Sequence, residues 1–366
     1  MIDHKISVCM IVNNEQEHIG DALSSVKPIA YEIIVVDHGS IDNTRNISEQ
    51  LGAKVYTREW NKSFSDARNY SISKATGDFI LVMDADERLV INEEALKEAC
   101  EFMKRNSASS IRVEIENITD TDSTTSWVTR FLPNHSNLRF VGRIHEQVML
   151  NHGISPTWDS SIKIIHYGYK TDIIQTKKKA ERNIELLQEE LENDPRDPYL
   201  HFQTGRAYQQ ASKREEAIES YLNSYQFINR NEPPVYYSTL LLHMIKCYVE
   251  LKQWDNFLKY VSVALEIYPD YTDLYYIYGV GLIEARNIDW FSQIPQAFES
   301  CLAIGEADQK KYETTIGTGS FKAHYNLGLY YELIGNRESS AYHYLESSKY
   351  GFLPANERLK LINYKE

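Results

Sequence analysis

The sequence predicts an α/β domain with a mostly parallel sheet, followed by an all-α domain of helical repeats. Up to about residue 170, short apolar runs alternate with amphipathic segments, and beyond that point the apolar spacing is helical throughout. Alternation of strand and helix is typical of parallel sheets, which bind ligands at the carboxyl ends of their strands. A length of 366 residues also agrees with two domains, at about 150 residues per domain.

In the first half, continuous apolar runs predict three buried strands: Ile6–Val12, Glu32–Asp37 and Phe79–Met83. A fourth segment, Lys54–Thr57, is short and strand-like. Helical spacing between them predicts three helices: Glu15–Val26, Asp42–Leu51 and Ser65–Ala75. Each helix is followed by a breaker, in turn Pro28, Gly52 and Gly77. Alternating polarity then predicts three later strands: Ser110–Ile115, Trp127–Phe131 and Ile162–His166.

The second half begins with an amphipathic helix, Lys177–Glu192, and continues with a repeat of about 34 residues, the length of a tetratricopeptide unit. Gly205, Tyr208, Ala217 and Tyr221 show the small–aromatic spacing of that unit, which lets two helices approach while aromatic rings fill the groove. The pattern recurs three times, with an insertion near residues 287–293. A non-repetitive helical bundle is the alternative. The predicted domain limits are 1–170, a connecting helix at 171–194, and 195–366.

Composition excludes several classes of protein. A net charge of −13 argues against nucleic-acid or anionic-membrane binding, because both depend on Lys and Arg contacts to phosphate. The four cysteines are far apart and form no CxxC pair, which excludes a zinc ribbon or disulfide scaffold and fits a reducing cytoplasm. The apolar runs are far shorter than the roughly 20 residues of a membrane span, and the N-terminus lacks signal-peptide features. We therefore expect a cytoplasmic protein.

The segment FILVMDADE delivers two carboxylates, Asp84 and Asp86, to the carboxyl end of a buried strand. Alternation along a strand projects both to one side, and two hard oxygen ligands suit Mg²⁺ or Mn²⁺. An acidic turn that caps the next helix is the alternative.

Two further residues fall at the same predicted sheet edge. Asp37 ends the second strand, where a carboxylate can accept from the N–H of uracil or from a ribose hydroxyl; a plain β–α turn is the alternative. Arg68 lies in the helix that enters the DxD strand and can pair with phosphate or hold a carboxylate, unless it is a surface arginine.

In this order, the motifs Val8–Glu15, Val35–Thr44, Ala67–Asn69 and Met83–Glu87 resemble those of family 2 glycosyltransferases. That resemblance covers about residues 5–170. It implies a GT-A fold, a nucleotide-sugar donor, a divalent metal and inverting chemistry.

Carried over by matching position, the resemblance places Asp37 at the uracil and Arg68 near the diphosphate. It places Asp84 at the ribose and the metal waters, and Asp86 on the metal. Two residues at the end of the first strand would border the nucleoside: Val12 and Glu15.

Residues Phe140–Glu146 and Ile165–Tyr169 resemble the late motifs of a bacterial branch of this family. They imply His166 as a third metal ligand, with a buried hydrogen-bonded histidine as the alternative. They also imply Glu146 as general base, with His145 beside it, while in the rival interpretation Glu87 is the base. The QxxRW motif of processive synthases is absent, so we expect transfer of one or a few sugars.

The combination of both halves resembles the sublancin-type peptide S-glycosyltransferases of bacilli. It implies transfer from UDP-glucose or a UDP-N-acetylhexosamine to a peptide Cys or Ser, and a homodimer formed through the helical domain. The alternatives are a cell-envelope glycan or lipid-linked acceptor, and a non-catalytic peptide-binding scaffold. Many of the 26 tyrosines follow residue 198, where they pack the repeats or line a peptide groove.

Overall fold

A computed structural model describes residues 4–118, 123–134, 137–151, 153–167 and 173–362, without the side chains of 123, 154 and 173–179. The chain divides into two compact units, Met1–Asn193 and Asp194–Glu366. The predicted limit at residue 170 and Tyr169 of the late motif lie outside the described residues, so the predicted domain limits stay a prediction. No helix in the described ranges combines the length and the apolar character needed to cross a bilayer.

The N-terminal unit is built on one mixed, mostly parallel sheet with the strand order β3-β2-β1-β4-β7-β6-β11-β5. Its strands are β1 (Ile6–Val12), β2 (Glu32–Asp37), β3 (Lys54–Thr57), β4 (Phe79–Val82), β5 (Glu87–Val90), β6 (Ser110–Ile118), β7 (Ser123–Pro133) and β11 (Thr157–His166). Three strands, β8 (Leu138–Val141), β9 (Gln147–Leu150) and β10 (Gly153–Ile154), form a separate small sheet. The unit's helices are α1 (Ile19–Val26), α2 (Thr44–Gln50), α3 (Phe64–Ile72), α4 (Glu93–Arg105) and α5 (Ile173–Asn193).

The central strand β1 is buried on both faces, and its sequence is therefore almost continuously apolar. Ile6 and Val8 contribute to one core, while Cys9 contributes to the core on the opposite face. The fold class and the positions of β1, β2 and β3 agree with the sequence prediction.

The first helix begins later than predicted, at Ile19 instead of Glu15. The reason lies in the backbone of Glu15: its N–H donates to Thr44 Oγ1 at 2.7 Å. Its carbonyl accepts from the N–H groups of His18 and Ile19, which makes a turn before the helix. The sequence analysis also did not predict α4 or the small sheet.

The C-terminal unit consists of helix pairs: α6 (Pro198–Gln210) with α7 (Arg214–Phe227), α8 (Tyr237–Glu250) with α9 (Trp254–Ile267), α10 (Thr272–Ala285) with α11 (Ile294–Ile304), and α12 (Phe321–Leu333) with α13 (Arg337–Ser348). A last helix, α14 (Leu353–Leu361), follows, and a two-residue strand, β12 (Thr314–Thr315), precedes α12. The first helices of successive pairs begin 39, 35 and 49 residues apart. The longest interval holds a 3₁₀ helix, Ile288–Gln293, at the predicted insertion.

Small residues and aromatic rings meet across the helix pairs as the repeat pattern predicts. A Cβ on Gly205 would overlap the Tyr221 ring, and a Cβ on Gly328 would overlap the Tyr344 ring. Five tyrosines of this unit are among the largest fully buried side chains: Tyr221, Tyr237, Tyr248, Tyr271 and Tyr344. These five belong to the core of the repeats and cannot line a peptide groove.

Candidate active site

A pocket of about 550 Å³ lies at the edge of the sheet where β1, β2 and β4 end. Val12 pairs with Asp37, and Cys9 pairs with Val82 in a parallel ladder, so the DxD segment continues from β4 to this same edge. Six of the residues predicted from the sequence line the pocket: Val12, Glu15, Arg68, Asp84, Asp86 and His166. Three predicted residues do not belong to its lining: Asp37, His145 and Glu146.

Asp84 is held between two arginines. Arg68 Nη2 lies 3.0 Å from Asp84 Oδ1, and Arg130 Nη2 lies 2.8 Å from Oδ2. Burial opposes ionisation of this carboxyl, but the charges of Arg130 and Arg68 hold the pKa of Asp84 well below its usual range. Asp84 is therefore a permanent anion at the pocket wall.

Asp86 and His166 form the second acidic–basic pair of the site. His166 Nε2 lies 3.2 Å from Asp86 Oδ2, and its Nδ1 lies 2.8 Å from Asn117 Oδ1. The antiparallel pairing of β11 with β5 brings this histidine to the DxD turn, since His166 is opposite Glu87. Burial by itself would lower the pKa of His166, but Asp86 raises it above its ordinary value.

Within the residues that the structure describes, no group of three or more His, Cys, Asp or Glu side chains is arranged to hold a metal ion. Asp86 and His166 together offer one carboxylate and one imidazole on the pocket wall. Magnesium in proteins is commonly held by one or two carboxylates, with substrate phosphates and water as its remaining ligands. The donor set therefore fits a divalent ion shared with a phosphorylated substrate, and Asp84, already held by two arginines, fits a contact through water.

Glu146 lies against the same arginine as Asp84. Its carboxylate accepts from Arg68 Nε, and its side chain is 11% exposed. It follows a tight segment between β8 and β9, in which Gly142 and His145 have left-handed φ values of 98° and 52°. Arg68 therefore bridges two carboxylates, one from the DxD turn and one from this segment.

Glu87, the rival candidate for the base, lies deeper in the protein. It is 2% exposed and accepts from Arg130 Nη2 at 2.7 Å. Burial raises its pKa, although the charge of Arg130 opposes the rise. Like Glu146, Glu87 does not belong to the pocket lining.

Asp37 ends β2 behind the pocket wall, and its Oδ1 accepts from the backbone N–H and the hydroxyl of Ser40, at 3.1 and 2.5 Å. The next residue, His38, does line the pocket and lies edge-on to Trp60, with ring centroids 5.3 Å apart. Trp60 in turn contacts the ring of Phe64 at 4.9 Å. This end of the pocket therefore has an aromatic wall.

Helix α5 forms another wall. Arg182 lines the pocket, with its guanidinium 5.2 Å from the centre of the Phe64 ring. The helix is tied to the neighbouring loops through Glu189, which pairs with Lys62 at 3.0 Å and Arg143 at 2.6 Å. Since the N–H of Phe64 donates to the carbonyl of Arg143 at 2.7 Å, these loops are also joined to each other.

Among the residues of the site that the sequence analysis missed are Arg130, Trp60 and Arg182. Arg130 carries a weak signal, because a charged residue directly before two apolar residues of a strand, Phe131 and Leu132, needs a partner if it is buried. Trp60 and Arg182 carry none, since their place in the pocket follows only from the packing of the loop before α3 and of helix α5.

A mostly parallel sheet with carboxylates, a histidine and an arginine around one pocket at its strand ends defines a GT-A-like domain, here followed by tetratricopeptide-like repeats. Residues 7–163 match the family model described as Glycosyl transferase family 2.

Two relatives match this chain over more residues than either of its two units contains. A TPR repeat-containing protein of Synechococcus elongatus is 34% identical over 259 residues, which are 69% of this chain and 63% of that protein. The SPbeta prophage-derived glycosyltransferase SunS of Bacillus subtilis is 28% identical over 294 residues, which are 77% of this chain and 68% of SunS. The chain therefore spans about two thirds of the length of these two relatives. Among solved structures, MamA is 18% identical over 52% of this chain and 95% of its own, with a TM-score of 0.38.

Proposed function

We propose that the protein is an inverting, metal-dependent glycosyltransferase that moves a hexose from a UDP-sugar to a peptide or protein Cys or Ser side chain. The observation that carries the proposal is the convergence of Arg68, Asp84, Asp86 and His166 on one pocket of a family 2 domain. Its preferred donors are UDP-glucose or a UDP-N-acetylhexosamine.

In this proposal the pocket holds the donor along the strand ends. Asp37 and the adjoining wall receive the uracil, Val12 and Glu15 border the nucleoside, and Arg68 receives the diphosphate. Asp86 and His166 would hold Mg²⁺ or Mn²⁺, and Asp84 would reach the ribose and the metal waters. The metal, when bound, offsets the charge that develops on the departing diphosphate.

Glu146 is our candidate for the general base, with His145 beside it. Its carboxylate shares Arg68 with Asp84, so a diphosphate that draws the guanidinium away leaves Glu146 able to accept a proton. The acceptor's sulfur or oxygen then bonds to the anomeric carbon as the bond to the diphosphate breaks on the opposite side. The acceptor's proton moves to the Glu146 carboxylate. A thiol needs less help than a hydroxyl, because it is partly ionised near neutral pH.

Two observations support a peptide acceptor. The match to SunS extends over 77% of this chain, and a helical-repeat fold suits extended peptides. We propose that the peptide docks in part on the repeats and that a homodimer forms through them. Four free, buried cysteines support a cytoplasmic location. A cell-envelope glycan or lipid-linked acceptor is the second candidate, and a non-catalytic peptide-binding scaffold is the third.

Mass spectrometry tests the proposal directly. The full chain is incubated with UDP-glucose, UDP-GlcNAc or UDP-GalNAc, with Mn²⁺ or Mg²⁺, and with a panel of Cys and Ser peptides. We expect one added hexose, and its loss in Asp86→Ala. Asp21→Ala is the matched control, because Asp21 is an exposed aspartate that pairs with Arg88.

Full activity of Asp86→Ala would contradict the metal assignment. Transfer to a glycan or lipid-linked sugar, with none to peptides, would favour the second candidate. Calorimetry that detects no metal-dependent UDP binding by the native chain would favour the scaffold.

A further inference from the structure

Arg182 differs from the other arginine of the pocket in its charge environment. Arg68 is already paired with Asp84 and Glu146. Among the residues that the structure describes, Arg182 has no carboxylate partner, and its one hydrogen bond in the structure goes to the side-chain oxygen of its neighbour Asn183, at 3.2 Å. Arg182 is exposed as a residue and lines the pocket, while partial burial of its guanidinium lowers the pKa of that group.

The position of Arg182 relates it to Arg68. The guanidinium of Arg182 lies over the ring of Phe64, and Phe64 and Arg68 are four residues apart on α3. Residues at that spacing lie on one face of a helix, about 5 to 6 Å apart. The two cations therefore belong to the same wall of the pocket, and Nη1 of Arg68 is a buried group without a hydrogen-bond partner in the described structure.

The pocket also carries three carboxylates on its lining, Glu15, Asp84 and Asp86. A nucleoside diphosphate brings further negative charge into this acidic site and needs cations that are not already paired. Arg68 is largely neutralised by its own partners, whereas Arg182 is not. A guanidinium stacked on an aromatic ring keeps its planar fork available for two phosphate oxygens.

We infer that Arg182 is a diphosphate-binding residue of the donor site, which makes helix α5 part of that site and not only a connection. The inference rests on the proposed function, since it takes the donor to be a nucleoside diphosphate sugar. The contact is made to phosphoryl oxygens and so acts on both the bound donor and the departing UDP.

Calorimetry with the full chain in Mn²⁺ compares two probes, UDP and uridine, which differ only in the diphosphate. Arg182→Met keeps most of the aliphatic stem over Phe64 but removes the charge, and we expect it to weaken UDP binding about tenfold or more. Uridine affinity should stay within about twofold of native, which also shows that the variant is folded. Arg182→Lys, which keeps the charge without the fork, should fall between native and Arg182→Met.

Arg45→Met is the matched control, because Arg45 is an exposed arginine on α2 that pairs with Glu49, and its UDP affinity should equal native. Equal losses for UDP and uridine in Arg182→Met, or no loss for either, would overturn the inference while leaving the donor proposal intact. An unchanged UDP affinity with a raised KM for the acceptor peptide would also overturn it, since the anion would then belong to the acceptor. A native chain that binds no UDP would overturn the proposed donor and this inference together.

Discussion

Replacement of Arg130 by methionine tests whether the buried charges behind the pocket hold the N-terminal unit together. The Arg130 side chain is 11% exposed, and its Nη2 lies 2.7 Å from Glu87 and 2.8 Å from Asp84. The Glu87 side chain is 3% exposed, so in Arg130→Met it is a buried carboxylate that has lost its counter-ion. Asp84 is less affected, because it keeps Arg68 and is 31% exposed.

Removal of one member of a buried ion pair typically costs about 3 to 5 kcal/mol, because the remaining charge stays uncompensated. We expect a loss in this range for Arg130→Met. The double variant Arg130→Met/Glu87→Gln should be more stable than Arg130→Met alone, since the amide removes the buried charge. Its side-chain oxygen still accepts from the N–H of Asp84, a bond of 2.9 Å in the native protein.

Hydrogen exchange of peptides from strands β1 and β4, measured by mass spectrometry over a urea series, reports the N-terminal unit separately from the repeats. Arg112→Met is the matched control, since Arg112 forms a pair with Asp159 at 2.6 Å in which the side chains are 25% and 22% exposed. A more exposed pair contributes about 1 kcal/mol or less. The reasoning is refuted if Arg130→Met and Arg112→Met lose the same stability, or if Glu87→Gln gives no recovery.

Three further predictions concern stability. The carboxylate of Glu32 is desolvated, which would raise its pKa, but Lys54 and other hydrogen-bond donors lower the pKa to about 2. Stability of the N-terminal unit should therefore fall by about 3 kcal/mol as pH drops from 4.5 towards 2. Glu32→Gln should remove this dependence in urea titrations. Burial raises the pKa of Asp273 to about 6, so the folded state favours the protonated carboxyl. Stability of the C-terminal unit should therefore decrease by about 2 to 3 kcal/mol as pH rises from 4 to 6. A flat stability profile in the native chain, or the same slope in Asp273→Asn, would contradict this. Gly205→Ala should destabilise the helical repeats by about 1 to 3 kcal/mol despite the better helix propensity of alanine, because the added Cβ overlaps Tyr221. The control Glu219→Ala, at an exposed position of α7, should change the melting temperature of the repeats little. An equal change of melting temperature in both variants would count against the packing argument.

The parts of the fold that local sequence determines could be predicted from it. The run Ile6–Val12 is a strand with the predicted bounds because burial on both faces demands a continuous apolar segment. Helix α4 could also have been predicted, because its sequence carries two helix signals. Asn92 is a good N-cap, and the charges complement the helix dipole, with acidic residues in the first turn and basic residues in the last. The small sheet was not, because β8 and β9 pair through a left-handed segment around Gly142 that has no hairpin signature.

In the candidate site, too, some residues could be predicted from local sequence, while others depend on contacts between distant segments. Asp84 and Asp86 could be placed because they directly follow a buried strand, and parallel strands end at a common edge. Arg130 reaches them only because β7 lies antiparallel beside β4, a pairing between segments about 50 residues apart. Arg182 is still more distant along the chain and depends on how a whole helix packs, which periodicity alone does not specify.

The ion pairs of helix α5 bear on how the protein can be divided for experiments. Glu189 joins the helix to Lys62 and Arg143, and Arg182 contributes to the pocket from the same helix. A fragment cut near residue 170, where the periodicity of the sequence changes, would lose that wall and the anchor of the Glu146 segment. A fragment that ends after Asn193, the last residue of the compact N-terminal unit, keeps Arg182 and the ion pairs of Glu189, so fusion partners or affinity tags belong beyond that residue.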